Sequence, residues 1–110
     1  MRRIPLDQAY RGQAYAKKKD VNRAVADFEQ AERLNPQFSE LYNSEGMILA
    51  DLGKRGQAIS KFDLAIQVDP KNSEEYLNRG FAYRLKGDLD RAIIDYNVAI
   101  EIDHKFAEPK

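Results

Sequence analysis

The side chains that most often carry out chemistry are scarce in this chain of 110 residues, which has one histidine, His104, and no cysteine. With one histidine and no thiol, we expect neither a nucleophilic triad nor a zinc site of the ordinary type. The carboxylates are scattered among basic residues, as at Asp88, Asp90 and Arg91, and no second acidic pair faces them. The sequence therefore predicts no enzyme activity, no metal and no cofactor.

The position of His104 points to a structural role. It lies in the ending DHKFAEPK, which matches two earlier stretches, NPQFSELY and DPKNSEEY, where the corresponding residues are Pro36 and Pro70. Asp103 still supplies a turn-forming residue, and a histidine near a helix end interacts favourably with the helix dipole. We therefore predict that His104 is a turn residue.

The composition indicates one soluble domain with balanced charge. Basic and acidic residues both number 18, so the chain lacks the general positive field expected of a nucleic-acid-binding protein. No apolar run approaches the roughly 20 residues of a membrane span, and the start, MRRIPLDQ, is not a secretory signal. If the chain is not a fragment of a longer protein, these features predict a cytoplasmic protein without a nucleic-acid partner or a membrane span.

The elements that must position any binding residues come from an internal repeat of 34 residues. A set of positions at this spacing is termed a column below. The columns include Gly12, Gly46 and Gly80; Ala24, Ala58 and Ala92; Phe28, Phe62 and Tyr96; Ala31, Ala65 and Ala99; and Pro36, Pro70 and His104. Such self-similarity is the signature of a repeat protein, and the apolar spacing within each copy is helical.

Turn residues divide each copy into two helices. Lys19, Gly53 and Gly87 stand in the middle of the copies, where glycine tolerates the left-handed conformation that ends a helix. Pro36 and Pro70 mark the turns between copies, because proline cannot continue a helix. The glycines inside the first helices predict a close approach of the second helix, with the aromatic column filling the space between. The final helix should span about 89–102.

On these residues the chain resembles three tandem tetratricopeptide repeats, whose pattern has Trp, Leu-Gly and Tyr in the first helix, Ala and Phe in the second, and Pro in the closing turn. Besides the columns above, the matching residues are Tyr15, Tyr42, Leu49, Tyr76 and Tyr83. The usual Leu before Gly is replaced by Arg11, Glu45 and Arg79, and the Trp position holds Gln8, Tyr42 and Tyr76.

The resemblance implies an all-α fold, a right-handed α-solenoid of three antiparallel helix-turn-helix repeats. The repeats would span about 5–38, 39–72 and 73–106 of a single domain, 1–110, and residues 107–110 would begin an incomplete fourth repeat or form a tail. In this family a concave groove built from the first helices usually holds a peptide or helix of a partner protein. The resemblance thus implies binding, not catalysis.

The family geometry also assigns candidate groove residues: Leu6, Tyr10, Gln13, Lys17, Asn43, Met47, Asp51, Glu74, Asn78, Phe81 and Arg84. Gln13, Met47 and Phe81 form one row, which would be an apolar strip flanked by polar groups. Methionine adapts to varied partners, and an exposed aromatic residue is a common hot spot. The alternative is that Met47 and Phe81 pack against their neighbours and stay covered.

Family members that bind acidic chaperone tails use a carboxylate clamp of Lys, Asn, Asn, Lys and Arg. The positions that match this clamp are Ala9, Gln13, Ser44, Glu74 and Asn78. No cation remains among them, and Glu74 would repel an acidic tail. The resemblance therefore implies a protein or peptide partner other than a chaperone tail.

The last helix is apolar on more than one side. Ile94 and Val98 stand where earlier copies have mostly smaller or polar residues, and with Ile102 further on they form the terminal interface that we predict. The alternatives are a missing further helix, a partner chain and self-association, for example as a homodimer.

The leading functional hypothesis is an adaptor or scaffold. The others are a recruitment domain cut from a larger enzyme or assembly, and a self-associating structural domain.

Overall fold

The computed structural model describes the backbone of residues 6–107 and the side chains of residues 7–104, and within these ranges it contains six α-helices and no strand. The helices are α1 (Leu6–Lys17), α2 (Val21–Leu34), α3 (Ser39–Asp51), α4 (Arg55–Val68), α5 (Ser73–Lys86) and α6 (Leu89–Ala107). They pack as the pairs α1 with α2, α3 with α4 and α5 with α6, and each pair packs on the next. The predicted all-α, right-handed α-solenoid is confirmed.

The turn within each repeat contains the predicted left-handed residue. Gly53 and Gly87 have φ angles of 81° and 92°, and Lys19 occupies the same column with a φ of 63°. Glycine adopts this conformation without steric cost, whereas the Cβ of Lys19 crowds its own backbone. These residues end the first helices and reverse the chain.

Side-chain caps follow these turns in two of the three repeats. Asp20 accepts a hydrogen bond from the backbone N–H of Arg23 at 3.3 Å, and Asp88 accepts one from the N–H of Arg91 at 3.2 Å. Lys54 stands in the same column and forms no side-chain cap. The second helix of the middle repeat therefore begins without a side chain that satisfies its first N–H groups.

The glycine column explains how closely the two helices of a repeat approach. A Cβ added at Gly12, Gly46 or Gly80 would lie 2.9, 2.6 or 2.8 Å from the ring of Phe28, Phe62 or Tyr96, respectively. Such distances are too short for a real Cβ contact, so any larger residue would push the aromatic ring out of the core. The predicted close approach is confirmed, and the alanine columns beside it are buried.

The turns between repeats are closed by tyrosine hydroxyl groups. Tyr42 donates a hydrogen bond to the carbonyl oxygen of Pro36 at 3.1 Å, and Tyr76 donates one to that of Pro70 at 2.9 Å. Both tyrosines stand at the Trp position of the family pattern. The first helix of one repeat thus holds the last turn of the repeat before it.

His104 does not form a turn, and this prediction was wrong. α6 continues past the expected end near 102 and includes His104, finishing at Ala107. A histidine keeps the backbone N–H that proline lacks, so the helix can continue through this column. The proposed start of a fourth repeat at 107–110 lies almost entirely outside the described residues.

Candidate partner-binding face

The first helices α1, α3 and α5 contact one another and form one side of the solenoid, termed the first-helix face. Most of the predicted binding residues on it are exposed: Tyr10, Gln13, Lys17, Met47, Asp51, Glu74, Phe81 and Arg84. Asn43 and Asn78 are half-buried, and the side chain of Leu6 lies outside the described residues. The predicted set is therefore accessible for the most part.

A cavity of about 590 Å³ opens on this face between α1 and α3. It brings together four predicted residues, Gln13, Lys17, Met47 and Asp51. The remaining lining residues are Ala16, Lys19, Ser44, Ile48 and Leu52. Met47 is 46% exposed. The cavity combines apolar side chains of the second repeat with Lys17 at the end of α1, Lys19 in the turn that follows, and one carboxylate. Such a lining suits a ligand that carries an apolar side chain flanked by polar groups.

The predicted residues of α5 lie outside this cavity. The guanidinium carbon of Arg84 is 5.2 Å from the centre of the Phe81 ring, a cation–π distance. The structure thus brings Phe81 and Arg84 together as a second exposed pair on the same face. Glu74 lies in the first turn of α5, where its charge complements the helix dipole.

Asn43 lies at the junction between the second and third repeats, beside the buried Glu75. Burial first and then the charge of Asp69 raise the pKa of Glu75, the side chains of Ser39 and Asn43 oppose the shift, and the resulting pKa is about 7. Those two side chains do not reach hydrogen-bonding geometry, so both carboxylate oxygens of Glu75 remain without a hydrogen bond. Glu75 therefore retains a proton more readily than an exposed glutamate does.

Charged residues that sequence reasoning treated only as departures from the family pattern form an ion pair in every repeat. The pairs are Arg11 with Asp27 at 2.7 Å, Glu45 with Lys61 at 3.0 Å, and Arg79 with Asp95 at 2.8 Å. The partners are 16 residues apart in each copy and always opposite in charge, a signal that the sequence contains. The signs are reversed in the middle repeat.

The bases of the second and third pairs also reach into the preceding repeat. Arg79 donates a hydrogen bond to Asp63 at 2.8 Å in addition to two to Asp95. Lys61 donates one to Glu32 at 3.0 Å. Asp95, Glu32 and Glu45 are all buried. These charges connect neighbouring repeats.

The carboxylates around Lys61 are incompletely satisfied. Lys61 lies within ion-pair distance of Glu45, but neither oxygen of Glu45 forms a hydrogen bond, and one oxygen of Glu32 also lacks one. Burial and the adjacent Glu32 raise the pKa of Glu45 far above its ordinary value, although Lys61 opposes this. Glu45 therefore retains a proton more readily than an exposed glutamate does.

The predicted terminal residues of α6 differ in their exposure. Ile94, 60% exposed, lines a cavity of about 400 Å³ together with Asp63 and Ile66 of α4. Val98 and Ile102 are half-buried. Ile93 and Ile100 are exposed instead in columns where earlier residues are covered. The interface at Ile94, Val98 and Ile102 stays a prediction.

Two kinds of feature are absent from the described part of the chain. None of its helices is both long and apolar enough to cross a membrane. In that same part, no three His, Cys, Asp or Glu side chains come together in a way that could hold a metal ion.

Comparison with known proteins agrees with the repeat organisation. Family models described as tetratricopeptide repeat match residues 5–38, 39–72 and 61–94, the last overlapping the second. No curated protein sequence matches the chain significantly.

Among solved structures, two of MamA are similar, with TM-scores of 0.83 and 0.84 at 24% identity, over 94% of this chain and 60% and 56% of the MamA chains. This chain thus spans less than two thirds of the MamA chains. The second TPR of Spaghetti (RPAP3), bound to the HSP90 peptide SRMEEVD, has a TM-score of 0.77 at 20% identity over 91% of this chain and 93% of that one. With three family matches spread over 5–94, the chain belongs to the tetratricopeptide repeat family.

Proposed function

We propose that the first-helix face binds an extended peptide or a helix of a partner protein, and that the chain acts as an adaptor or scaffold without catalysis of its own. Tetratricopeptide repeats are protein-interaction modules and are generally not catalytic. The observation that carries the proposal is the cavity between α1 and α3, where Met47 is exposed beside Lys17 and Asp51. An apolar anchor of the partner would enter there, and the charged rim would orient it.

The second exposed pair extends this site. Phe81 and Arg84 lie on α5 of the same face, and Met47 stands one repeat before Phe81 in the same column. A partner that contacts both repeats would bury an apolar side chain at each. An extended peptide or a helix has the length to do so, since it can follow the axis of the stack.

We further propose that the partner is not an acidic chaperone tail. The second TPR of RPAP3 binds such a peptide, SRMEEVD, so the fold can hold one. In this chain Ala9 is buried and offers no group to a ligand, while Glu74 is exposed and negative. The cations that grip a terminal carboxylate are missing at both positions.

The same binding face would serve a free-standing adaptor or a recruitment domain within a larger enzyme or assembly. The two roles differ in what is attached to the module, and the groove residues are the same. A test of the face therefore addresses both.

A library of displayed peptides, selected on the whole chain, would provide ligands whose affinity can be measured by fluorescence anisotropy. We expect Met47→Asp to weaken the selected peptides at least tenfold, because it puts a charge in the apolar part of the cavity. Leu64→Asp is the matched control, since Leu64 is a similarly exposed apolar residue on α4, away from the first-helix face. Equal affinity in both variants, or tight binding of SRMEEVD, would refute the respective part of the proposal.

A further inference from the structure

The two ends of the solenoid expose positions that are covered within it. Among the described residues no helix precedes α1 and none follows α6. At the end formed by α6, Ile93 is 55% exposed, whereas Ile59 in the same column is 8% exposed. Ile59 belongs to a core cluster that includes Ala82 of α5, the first helix of the next repeat. Ile93 is therefore an apolar position that the fold covers wherever a first helix follows.

Ile100 repeats this pattern about two helical turns further on. It is exposed, while Ile66 in its column is half-buried and Glu32 is buried. Ile93 and Ile100 lie on the side of α6 that would face a following repeat. Ile94 lies on another side of the same helix, near α4. The exposed end thus has the position and the apolar character of one half of a repeat junction.

The end formed by α1 has the complementary deficiency. Ala14 is exposed, whereas Ala82 in its column is fully buried against the preceding repeat. The side chain of Arg11 is 61% exposed, against 23% for Arg79, which also bonds to Asp63 of the preceding repeat. α1 therefore has the register of α3 and α5, and among the described residues no helix pair packs on its outer side.

We propose that this chain stacks end to end with a second copy of itself, α1 of one copy packing on α6 of the other as α5 packs on α4. In that register Ala14 lies against Ile93, as Ala82 lies near Ile59. Arg11 faces Asn97, whose amide oxygen accepts a hydrogen bond as Asp63 does from Arg79. The contact between two copies would have the same geometry as the two junctions between repeats inside the chain. The proposed interface therefore repeats a contact that the fold already contains.

The interface joins two unlike surfaces, α1 and α6, so each added copy exposes the same end again. Such a contact is heterologous and does not close on itself unless the rotation happens to form a ring. The proposal therefore specifies a ladder of sizes that grows with concentration. It does not depend on the groove, since Met47 lies on the first-helix face.

Introduced thiols test the register directly, because the chain has no cysteine of its own. Ala14→Cys and Ile93→Cys chains are mixed under mild oxidation and separated by non-reducing electrophoresis. We expect a disulfide-linked pair only in the mixture, and a ladder from the chain that carries both substitutions. A dimer from Ile93→Cys alone would show that copies meet through α6 and α6, and would overturn the proposal. A mixture without cross-links would also overturn it.

Sedimentation velocity over a range of concentrations tests the same contact without cysteine. Ile93→Asp should raise the concentration needed for association at least tenfold, because it places a charge in the apolar junction. Leu64→Asp is the control, since Leu64 is an exposed apolar residue on α4 of the middle repeat, and this variant should associate as the unchanged chain does. Circular dichroism verifies that both variants are folded. A chain that stays monomeric throughout, or equal effects of the two variants, would contradict the proposal.

Discussion

The second and third repeats each place one base among carboxylates of two successive repeats and satisfy them differently. Arg79 forms three hydrogen bonds, two with Asp95 and one with Asp63. Lys61 forms one, with Glu32, and leaves the carboxylate oxygens of Glu45 without any. The planar guanidinium presents donors in a fork that matches carboxylate geometry, whereas the ammonium group is a point charge. The two junctions therefore differ in the shape of the cation and in the raised pKa of the Glu45 carboxyl.

The middle repeat is reversed in charge at three columns. The columns are Arg11, Glu45 and Arg79; Asp27, Lys61 and Asp95; and Asp20, Lys54 and Asp88. Reversal of the first two columns preserves an ion pair, but it places a carboxylate rather than a guanidinium on the first helix. Reversal of the third removes a helix cap. The second repeat is therefore the one whose polar groups are least well satisfied.

The largest expected effect comes from removing the cation Arg79, which forms the most hydrogen bonds to the neighbouring carboxylates. Arg79→Met leaves Asp95 buried without its partner, and we expect unfolding free energy to fall by about 3 to 5 kcal/mol. Urea denaturation monitored by circular dichroism measures this. The control is Arg11→Met, which should cost much less because Arg11 is largely exposed. Equal losses in the two variants would mean that burial of the pair is unimportant.

Replacing a carboxylate by a neutral amide should destabilise the two junctions to different degrees. Asp95→Asn weakens two charge-assisted hydrogen bonds from Arg79 and should cost about 2 to 3 kcal/mol at pH 7. Glu45→Gln should cost less than about 1 kcal/mol, since the raised pKa of Glu45 favours its neutral form and neither of its oxygens forms a hydrogen bond. Denaturation of both variants at one pH makes the comparison. A larger loss in Glu45→Gln would show that Glu45 is ionised in the folded protein.

Glu75 provides a pH test at the junction of the second and third repeats. The pKa of its carboxyl is about 7 in the folded protein, against an ordinary value of 4.5. The folded state therefore binds more protons between these values, and the contribution of Glu75 to stability is full below pH 4.5 and is lost as the pH rises through 7. Glu75→Gln should be more stable than the unchanged chain by about 1 to 3 kcal/mol at pH 8.

Thermal denaturation at pH 5 and pH 8 supplies the control, because the advantage of Glu75→Gln should shrink at the lower pH. Glu74→Gln is the matched variant, since Glu74 is exposed and adjacent. An advantage of Glu75→Gln that is the same at both pH values would contradict a raised pKa.

The smallest expected effect concerns the missing cap. Lys54→Asp restores the residue of the flanking repeats, and its side chain can accept a hydrogen bond from the first turn of α4. We expect a gain of about 0.5 to 1 kcal/mol, measured by urea denaturation. Asp88→Lys makes the reverse change in the third repeat and should lose a similar amount. No gain in Lys54→Asp would indicate that the solvent already satisfies these N–H groups.

Much of the fold could be predicted because its information is local and repeated. The contact of Gly46 with Phe62 and the turns at Gly53 and Pro70 follow from steric limits on glycine and proline, and nearly the same residues recur in each copy. His104 shows the limit of such reasoning. Its column predicted a turn, but nothing in one residue's chemistry forbids the helix from continuing, and α6 does continue.

The candidate binding face was predicted in outline, since the family geometry places residues such as Gln13 and Met47 on first helices. Their convergence on one cavity, with Lys19 added from the turn, depends on how α1 packs near α3. Asn43 was assigned to the same face, yet it lies beside Glu75 at a repeat junction. A column specifies only a position on a helix. Whether the side chain at that position is exposed to a partner depends on the neighbouring helix.

The sequence by itself determined the repeat, its two helices, the close contact at each glycine and the opposite charges 16 residues apart. Only the tertiary structure decided which carboxylates lose water, because desolvation depends on atoms from other repeats. It also showed that Ile93 and Ile94, adjacent in the chain, lie on different sides of α6 relative to the stack. The sequence period shows the features that all three repeats share. The burial of a charge or the exposure of a terminal helix depends instead on which repeats pack beside each one.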